Sequence, residues 1–197
     1  MAEENVRQCV RSNIIGTLNL LQESMRGRQY FFVFISSDKA SRVRGIYGAT
    51  KYIGEKLVQE FGMLNPHTKY NVIRYGNVLG STGSVIEKWR PLIQAGKPVI
   101  ITDAAATRYF FSVKDAVTTI FDSMGRNIPN PIIPKMQAAT MGFVLECCQQ
   151  VWGKCPVKTI GLQIGENMHE TLDGENYSDA AEKWTKEGFF KEFFNHE

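Results

Sequence analysis

The sequence predicts an α/β protein in which a parallel sheet is covered by helices on both faces. Apolar residues at helical spacing alternate along the chain with short continuous apolar runs, the pattern of helices that connect buried strands. The chain has 197 residues, 43% of them apolar, which is enough for one hydrophobic core or slightly more. We therefore expect a globular protein built from alternating helices and strands.

The predicted elements follow one another regularly. A helix at residues 6–25 leads into a strand at 31–35, and a helix at 47–61 leads into a strand at 70–75. The stretch 179–197 carries five aromatic rings and is predicted either as a docking helix or as a tail that orders only on a partner. Further helices are predicted at residues 85–94, 113–124 and 141–151, and further strands at 99–101, 131–133 and 157–162.

Composition excludes several classes of function. The net charge of +3 comes from basic and acidic residues scattered along the chain, so no nucleic-acid or membrane surface is predicted. No apolar run approaches the roughly 20 residues that span a bilayer, and no secretion signal opens the sequence, so we expect a cytoplasmic protein. The four cysteines lack Cys-x-x-Cys spacing, which predicts reduced thiols and no metal site.

Candidate chemistry follows the first predicted strand. Ligands of open α/β sheets bind at the carboxyl ends of strands, where Ser37, Asp38 and Lys39 are expected. Tyr47 and Lys51 lie at i and i+4 on the next helix, so they share a face, and an ammonium near a phenol lowers the phenol pKa. The alternatives are a surface salt bridge, a capping aspartate and a chance Tyr-x-x-x-Lys spacing. The combination of the two motifs favours an acid–base site.

Six stretches together resemble one enzyme family. Ser-Ser-Asp-Lys-Ala at 36–40, Tyr-Gly-Ala-Thr-Lys at 47–51 and residues 74–85 are similar to motifs of UDP-N-acetylglucosamine 4,6-dehydratases, in the extended short-chain dehydrogenase/reductase superfamily. Residues 13–17, 101–110 and 161–170 agree, so the resemblance covers about residues 5–172. It implies a partial Rossmann-type doubly wound parallel sheet with a small C-terminal substrate-binding region. The expected segments are a catalytic half-domain at 1–80, a substrate-binding region at 81–175 and a tail or docking helix at 176–197.

The resemblance also implies a role for each residue. Tyr47, assisted by Lys51, would take the proton of the sugar 4-hydroxyl, Lys39 would remove the C5 proton, and Asp38 would protonate the departing 6-hydroxyl. Ser37 would hydrogen-bond the 4-oxygen. NAD or NADP is the implied cofactor. Its implied binding residues are Asn13, Tyr47, Lys51, Gly76 and Val78, and those implied for the UDP-sugar are Asn77, Ser84 and Arg108.

The chain also departs from the family. Gln163 and Asn167 stand where the family has Arg and Lys, and no glycine-rich dinucleotide fingerprint follows a strand anywhere. Two hypotheses remain open. The chain is an active dehydratase whose missing half comes from another chain or a longer protein, or it is a non-catalytic binding module. Expected partners are a UDP-sugar and either a second copy, paired through the helices near Asn13 and Tyr47, or a complementing N-terminal chain. An epimerase or reductase is disfavoured because those enzymes lack the Asp-Lys pair.

Overall fold

A computed structural model describes residues 3–27, 29–125 and 131–194, and it confirms the α/β class. Helices and strands alternate along most of the described chain. A π-helical turn at Arg11–Ile15 joins the first two helices. The helices are α1 Val6–Val10, α2 Gly16–Ser24, α3 Asp38–Ser41, α4 Ile46–Leu64, α5 Val85–Gln94, α6 Val113–Gly125, α7 Met141–Trp152 and α8 Lys186–Phe193. The strands are β1 Phe31–Ser37, β2 Lys69–Tyr75, β3 Asn77–Val78, β4 Val99–Ile101, β5 Thr107–Phe111, β6 Gln137–Thr140 and β7 Val157–Thr159.

The chain divides into two compact units, each built from three separate stretches. The first unit comprises Met1–Tyr75, Val117–Pro134 and Thr171–Glu175. The second comprises Gly76–Ala116, Lys135–Glu170 and Asn176–Glu197. The functional segments expected at 1–80, 81–175 and 176–197 stay a prediction.

The first unit contains a parallel pair of strands with helices packed on it. Strands β1 and β2 run in parallel register from Phe31 opposite Lys69 to Ser37 opposite Tyr75. The strand predicted at 131–133 is a single parallel bridge between Ile132 and Ile73. The parallel register brings the carboxyl end of β1 to the same edge as that of β2. The core of this unit contains Leu21, Phe34, Val58, Tyr70 and Val72.

The second unit has two small sheets. One has the order β3–β5–β6, and the other pairs β4 with β7 in parallel. The pairing of β5 with β6 is antiparallel, which the sequence did not indicate. The strand β5 is buried along its whole length although it begins with Thr-Arg, and β6 reads Gln-Ala-Ala-Thr without a large apolar residue. Neither segment has the periodicity by which a strand is recognised.

The C-terminal aromatic stretch contains the helix α8 within its described part. Helix α8 begins after Thr185, whose hydroxyl accepts a hydrogen bond from the Gly188 N–H at 3.1 Å. Phe189 is fully buried, and its ring meets Phe110, Phe143 and Trp184 edge-on. Residues Lys186–Phe193 therefore form a helix that packs by its aromatic side chains, while residues 195–197 lie outside the described residues.

Over the ranges that the structure describes, no helix has both the length and the apolarity to cross a bilayer. The four cysteines are free thiols, and Cys147 and Cys148 are fully buried. Burial raises the pKa of Cys148 to about 12, so this thiol is held protonated and unreactive.

Candidate active site

A serine cap shapes the turn that carries the predicted acid and base. Ser37 is the last residue of β1 and the N-cap of α3. Its Oγ accepts a hydrogen bond from the Lys39 N–H at 3.3 Å and donates one to Asp38 Oδ1 at 2.7 Å. Strand therefore changes to helix within one residue, and we call Ser37, Asp38 and Lys39 the Ser-Asp-Lys turn.

The acid and the base of this turn form an unequal ion pair. Asp38 is only 3% exposed, whereas the Lys39 side chain is 31% exposed, and Lys39 Nζ lies 3.8 Å from Asp38 Oδ1. A buried carboxylate is costly unless it is paired or hydrogen-bonded, and both Lys39 and Ser37 supply this here. Asp38 is thus an acid that is shielded from solvent, and it lies beside Lys39, a base whose side chain is partly exposed.

Tyr47 adjoins the Ser-Asp-Lys turn from the start of α4 and is 37% exposed. Its pKa is raised above the usual value, first by burial and then by the Asp38 charge, while Lys39 and a hydrogen bond with Ser37 oppose the rise. The expectation that Lys51 lowers this pKa is corrected. Lys51 Nζ instead donates a hydrogen bond to the Ile35 carbonyl oxygen at 2.7 Å, and burial lowers its own pKa.

Helix α4 packs against the Ser-Asp-Lys turn at Gly48. A Cβ at this position would overlap the carbonyl oxygen of Lys39, which is backbone and cannot turn aside. Glycine is therefore required for the close approach that brings Tyr47 to the turn.

We expect Gly48→Ala to lower the free energy of unfolding by about 1–3 kcal/mol, because the new methyl group must push the helix away from the turn. Urea denaturation measures the change. Gly16→Ala is the matched control, since a Cβ there meets only ordinary contact with the Arg11 carbonyl oxygen and alanine is the better helix former. Equal stability of the two variants would contradict the close packing at Gly48.

Asn13 lies in the π-helical turn and is tied to the helix that carries Tyr47. Its Nδ2 donates hydrogen bonds to Thr50 Oγ1 at 3.0 Å and to Cys9 Sγ at 3.4 Å. Thr50 Oγ1 in turn donates to the Tyr47 carbonyl oxygen at 2.9 Å. Single π-helical turns occur often at functional sites, where they redirect a side chain. Here the turn brings the Asn13 amide to the first turns of α4.

The sequence did not predict the buried ion pair between Glu55 and Arg74, which lies next to the Ser-Asp-Lys turn. Glu55 is 1% exposed and accepts two hydrogen bonds from Arg74, from Nε at 2.8 Å and from Nη2 at 2.7 Å. Ser36 Oγ donates to the same carboxylate at 2.5 Å. The available signal was spacing, because Glu55 lies four residues after Lys51 on the same face of α4, and a carboxylate on a buried face requires a partner.

Three further predicted residues, Gly76, Asn77 and Val78, lie together in the second unit. Asn77 Nδ2 donates a hydrogen bond to the Tyr109 carbonyl oxygen at 3.1 Å. A Cβ on Gly76 would overlap Tyr109, and Val78 lies opposite Phe111 in the β3–β5 pair. These residues thus have packing and pairing roles, and their binding of cofactor or substrate stays a prediction.

Arg108 and Ser84 also lie in the second unit, and both have internal partners. The buried Arg108 donates from Nη1 to the carbonyl oxygens of Thr107 and Met168, and its Nε lies 3.7 Å from Glu170. Ser84 is the N-cap of α5 and accepts from the Glu87 N–H at 3.4 Å. The structure thus provides a buried cation and a capped helix start within this unit, and their contact with a diphosphate stays a prediction.

Comparison with known proteins identifies relatives in glycan synthesis. The model of the family described as polysaccharide biosynthesis protein matches residues 1–190. The chain is 34% identical to a Campylobacter jejuni UDP-N-acetylglucosamine 4,6-dehydratase (inverting) over 179 residues, 87% of this chain and 52% of that protein. It is 31% identical to the probable polysaccharide biosynthesis protein EpsC of Bacillus subtilis, over 94% of this chain and 32% of that protein. The chain therefore spans about half, or less, of the length of these curated relatives.

Solved structures agree on the fold. The Pen protein of Bacillus thuringiensis matches with a TM-score of 0.79 and 27% identity, over 87% of this chain and 55% of that one. A Bacillus cereus UDP-glucuronic acid 4-epimerase, solved with UDP-glucuronic acid and NAD, matches with a TM-score of 0.76 and 18% identity, over 93% of this chain and 66% of that one. The predicted Rossmann-type fold class is confirmed.

Proposed function

This chain belongs to the polysaccharide biosynthesis protein family, among the nucleotide-sugar dehydratases and epimerases of the short-chain dehydrogenase/reductase superfamily, and on that premise we propose that it carries the reacting residues of a UDP-N-acetylglucosamine 4,6-dehydratase. The observation that carries the proposal is the Asp38–Lys39 pair beside Tyr47. Removal of water requires an acid for the leaving oxygen and a base for the adjacent carbon, in addition to the group that ionises the 4-hydroxyl. The product would be a 4-keto-6-deoxy sugar for surface glycan synthesis.

The polar groups around Tyr47 fit one half of a nicotinamide cofactor. The phenol of Tyr47 and the ammonium of Lys51 offer donors, and the amide oxygen of Asn13 offers an acceptor, suited to the nicotinamide and its ribose. No glycine-rich fingerprint for the pyrophosphate occurs in the 197 residues. NAD or NADP, when bound, supplies the chemistry that takes a hydride from the sugar and returns it. We propose that its phosphates are held by a glycine-rich half outside this sequence.

The position of β1 supports such a complementing half. This strand is at the edge of the two-stranded sheet β1–β2, with β2 as its partner. An edge strand presents a row of backbone donors and acceptors to which a further strand can pair. A strand added on the side of β1 away from β2 would extend the sheet next to the strand that ends in the Ser-Asp-Lys turn.

The Asp38–Lys39 pair can reach the protonation states that dehydration needs. Asp38 must be protonated to donate to the departing 6-hydroxyl, and Lys39 must be neutral to remove the C5 proton. Transfer of one proton from Lys39 Nζ to Asp38 produces both forms at once. Exclusion of water by a bound sugar favours this neutral pair, because desolvation penalises the charged form of each group. Lys39 then takes the C5 proton, and the 6-oxygen leaves as water with the proton from Asp38.

Tyr47 and Ser37 act at the 4-oxygen in this scheme. Tyr47 takes the proton of the 4-hydroxyl, and Ser37 donates a hydrogen bond to that oxygen. Because the pKa of Tyr47 is raised without substrate, this phenol is protonated at neutral pH and needs an added cation to act as a base. Lys39 already lowers this pKa, and the positive charge of an oxidised nicotinamide would act in the same direction.

Mass spectrometry of UDP-N-acetylglucosamine tests the proposal. The purified chain is incubated with substrate and NAD, alone and after co-expression with the first half of the Campylobacter jejuni dehydratase. We expect a product lighter by one water in the complemented sample. The matched control is the same pair of chains with Tyr47→Phe, which lacks the acid–base hydroxyl. Unchanged substrate, in a complemented sample that binds NAD, would favour the non-catalytic binding module.

A further inference from the structure

We propose that Glu55 and Ser36 are positioning residues that hold the Ser-Asp-Lys turn in its reacting geometry. This inference rests on the proposed function, since that function makes Asp38 and Lys39 reacting groups. Ser36 immediately precedes the turn, and its Oγ donates to Glu55 Oε1 at 2.5 Å. The hydroxyl therefore attaches the last part of β1 to the buried face of α4.

The Glu55 carboxylate connects three elements next to the Ser-Asp-Lys turn, namely α4, β1 and β2. Ser36 lies opposite Arg74 in the parallel ladder, and Arg74 donates two hydrogen bonds to the Glu55 carboxylate. The remaining nitrogen of this guanidinium, Nη1, donates to the Leu172 carbonyl oxygen at 2.7 Å. One carboxylate thus joins α4 to the carboxyl ends of β1 and β2, and Arg74 adds the segment that contains Leu172.

Alternation of side chains along the strand connects this network to the site. Successive residues of a strand point to opposite faces, so Ser36 faces the network while Ser37 begins the turn. Glu55 shares helix α4 with Tyr47, two helical turns away, so one rigid element carries both the phenol and the anchor of the turn. Ser36 and Glu55 therefore fix where Asp38 and Lys39 stand relative to Tyr47.

The Glu55–Arg74 pair is better explained by the fixed orientation of its carboxylate than by a contribution to the free energy of unfolding. A buried ion pair contributes little net stability compared with apolar side chains of the same volume, because desolvation offsets the attraction. Bidentate hydrogen bonds between a guanidinium and a carboxylate are, however, strongly directional. With Ser36 as a third donor, the carboxylate has a fixed orientation, which an apolar contact would not impose.

Ser36→Ala tests the inference with little risk to folding, because it removes one hydrogen bond and keeps the Glu55–Arg74 pair. The readout is the pH dependence of acetylation at Lys39, measured by peptide mass spectrometry on the full native chain. Loosening the turn weakens the pairing of Lys39 Nζ with Asp38 Oδ1, so the midpoint of Lys39 labelling should lie at lower pH in the variant than in the native chain. Exposed Lys97 serves as the internal reference.

Ser24→Ala is the matched control, since Ser24 is also a buried serine of the first unit and bonds Tyr70 Oη at 2.7 Å. If both variants lose stability but neither shifts the Lys39 midpoint, Ser36 is merely structural and the inference is overturned. A shift in Ser36→Ala alone supports it. The labelling requires no turnover, so this result stands apart from the dehydratase assay, whose failure would overturn the proposed function alone.

Discussion

The Asp38→Asn variant is expected to lose about a thousandfold in the rate of water loss when assayed in the complemented enzyme. The amide cannot donate an acidic proton to the departing 6-oxygen, and general acid catalysis typically contributes a factor of this size. Asparagine keeps the shape of the side chain and its hydrogen bond from Ser37. The lost rate therefore reports the missing proton more than a rearranged turn.

This substitution should separate the two halves of the reaction. Tyr47 can still take the proton of the 4-hydroxyl while NAD, when bound, accepts the C4 hydride. A 4-keto sugar that retains its 6-hydroxyl is therefore expected, up to one molecule per bound cofactor, and borodeuteride reduction would trap it with deuterium at C4. Tyr47→Phe should form neither this sugar nor the final product. The control is Asp122→Asn, which changes an exposed aspartate of α6. Undiminished water loss in Asp38→Asn would remove Asp38 from the mechanism.

Replacing Arg74 by Met is expected to lower the free energy of unfolding by more than Gly48→Ala does. The substitution leaves Glu55, which is 1% exposed, without its bidentate partner. Breaking a buried ion pair by removing one member typically costs about 3–5 kcal/mol, because the remaining charge stays buried. Urea unfolding measures the change. The control is Arg26→Met, which removes an exposed pair with Glu23 and should have little effect.

A double variant shows whether the loss comes from the unpaired carboxylate. Glu55→Met combined with Arg74→Met should recover much of the stability, because no charge is then left buried without its partner. An equally large loss in the double variant would contradict the account of an uncompensated carboxylate.

Local patterns in the sequence were sufficient to predict several elements. The bounds of α5 and β4 agree with the predicted 85–94 and 99–101. Gly83 and Ser84 mark the start of the helix, and Gly96 marks the turn between the helix and the strand. Strands β5 and β6 were missed because their stability comes from burial against the rest of the second unit. Periodicity contains no information about such contacts.

The candidate site was likewise predicted only in part from the sequence. Adjacent residues and helical spacing were enough to bring Tyr47 to the Ser-Asp-Lys turn. The spacing did not reveal which cation acts on Tyr47, since i and i+4 define a shared face but not where a long side chain ends. Lys51 reaches the Ile35 carbonyl, and Lys39 acts on the phenol instead. The Glu55–Arg74 pair joins residues 19 positions apart on different elements, which only the tertiary fold determines.

The most direct measurement uses UDP-N-acetylglucosamine that carries deuterium at C4, incubated with the complemented enzyme and analysed by mass spectrometry and NMR. A 4,6-dehydratase should give a product that has lost one water and carries the deuterium at C6. A sugar that keeps all its oxygen and carries the deuterium at an inverted C4 would identify an epimerase and contradict the assignment of Asp38 and Lys39. Recovery of the unchanged labelled substrate from an enzyme that binds both ligands would contradict catalysis itself.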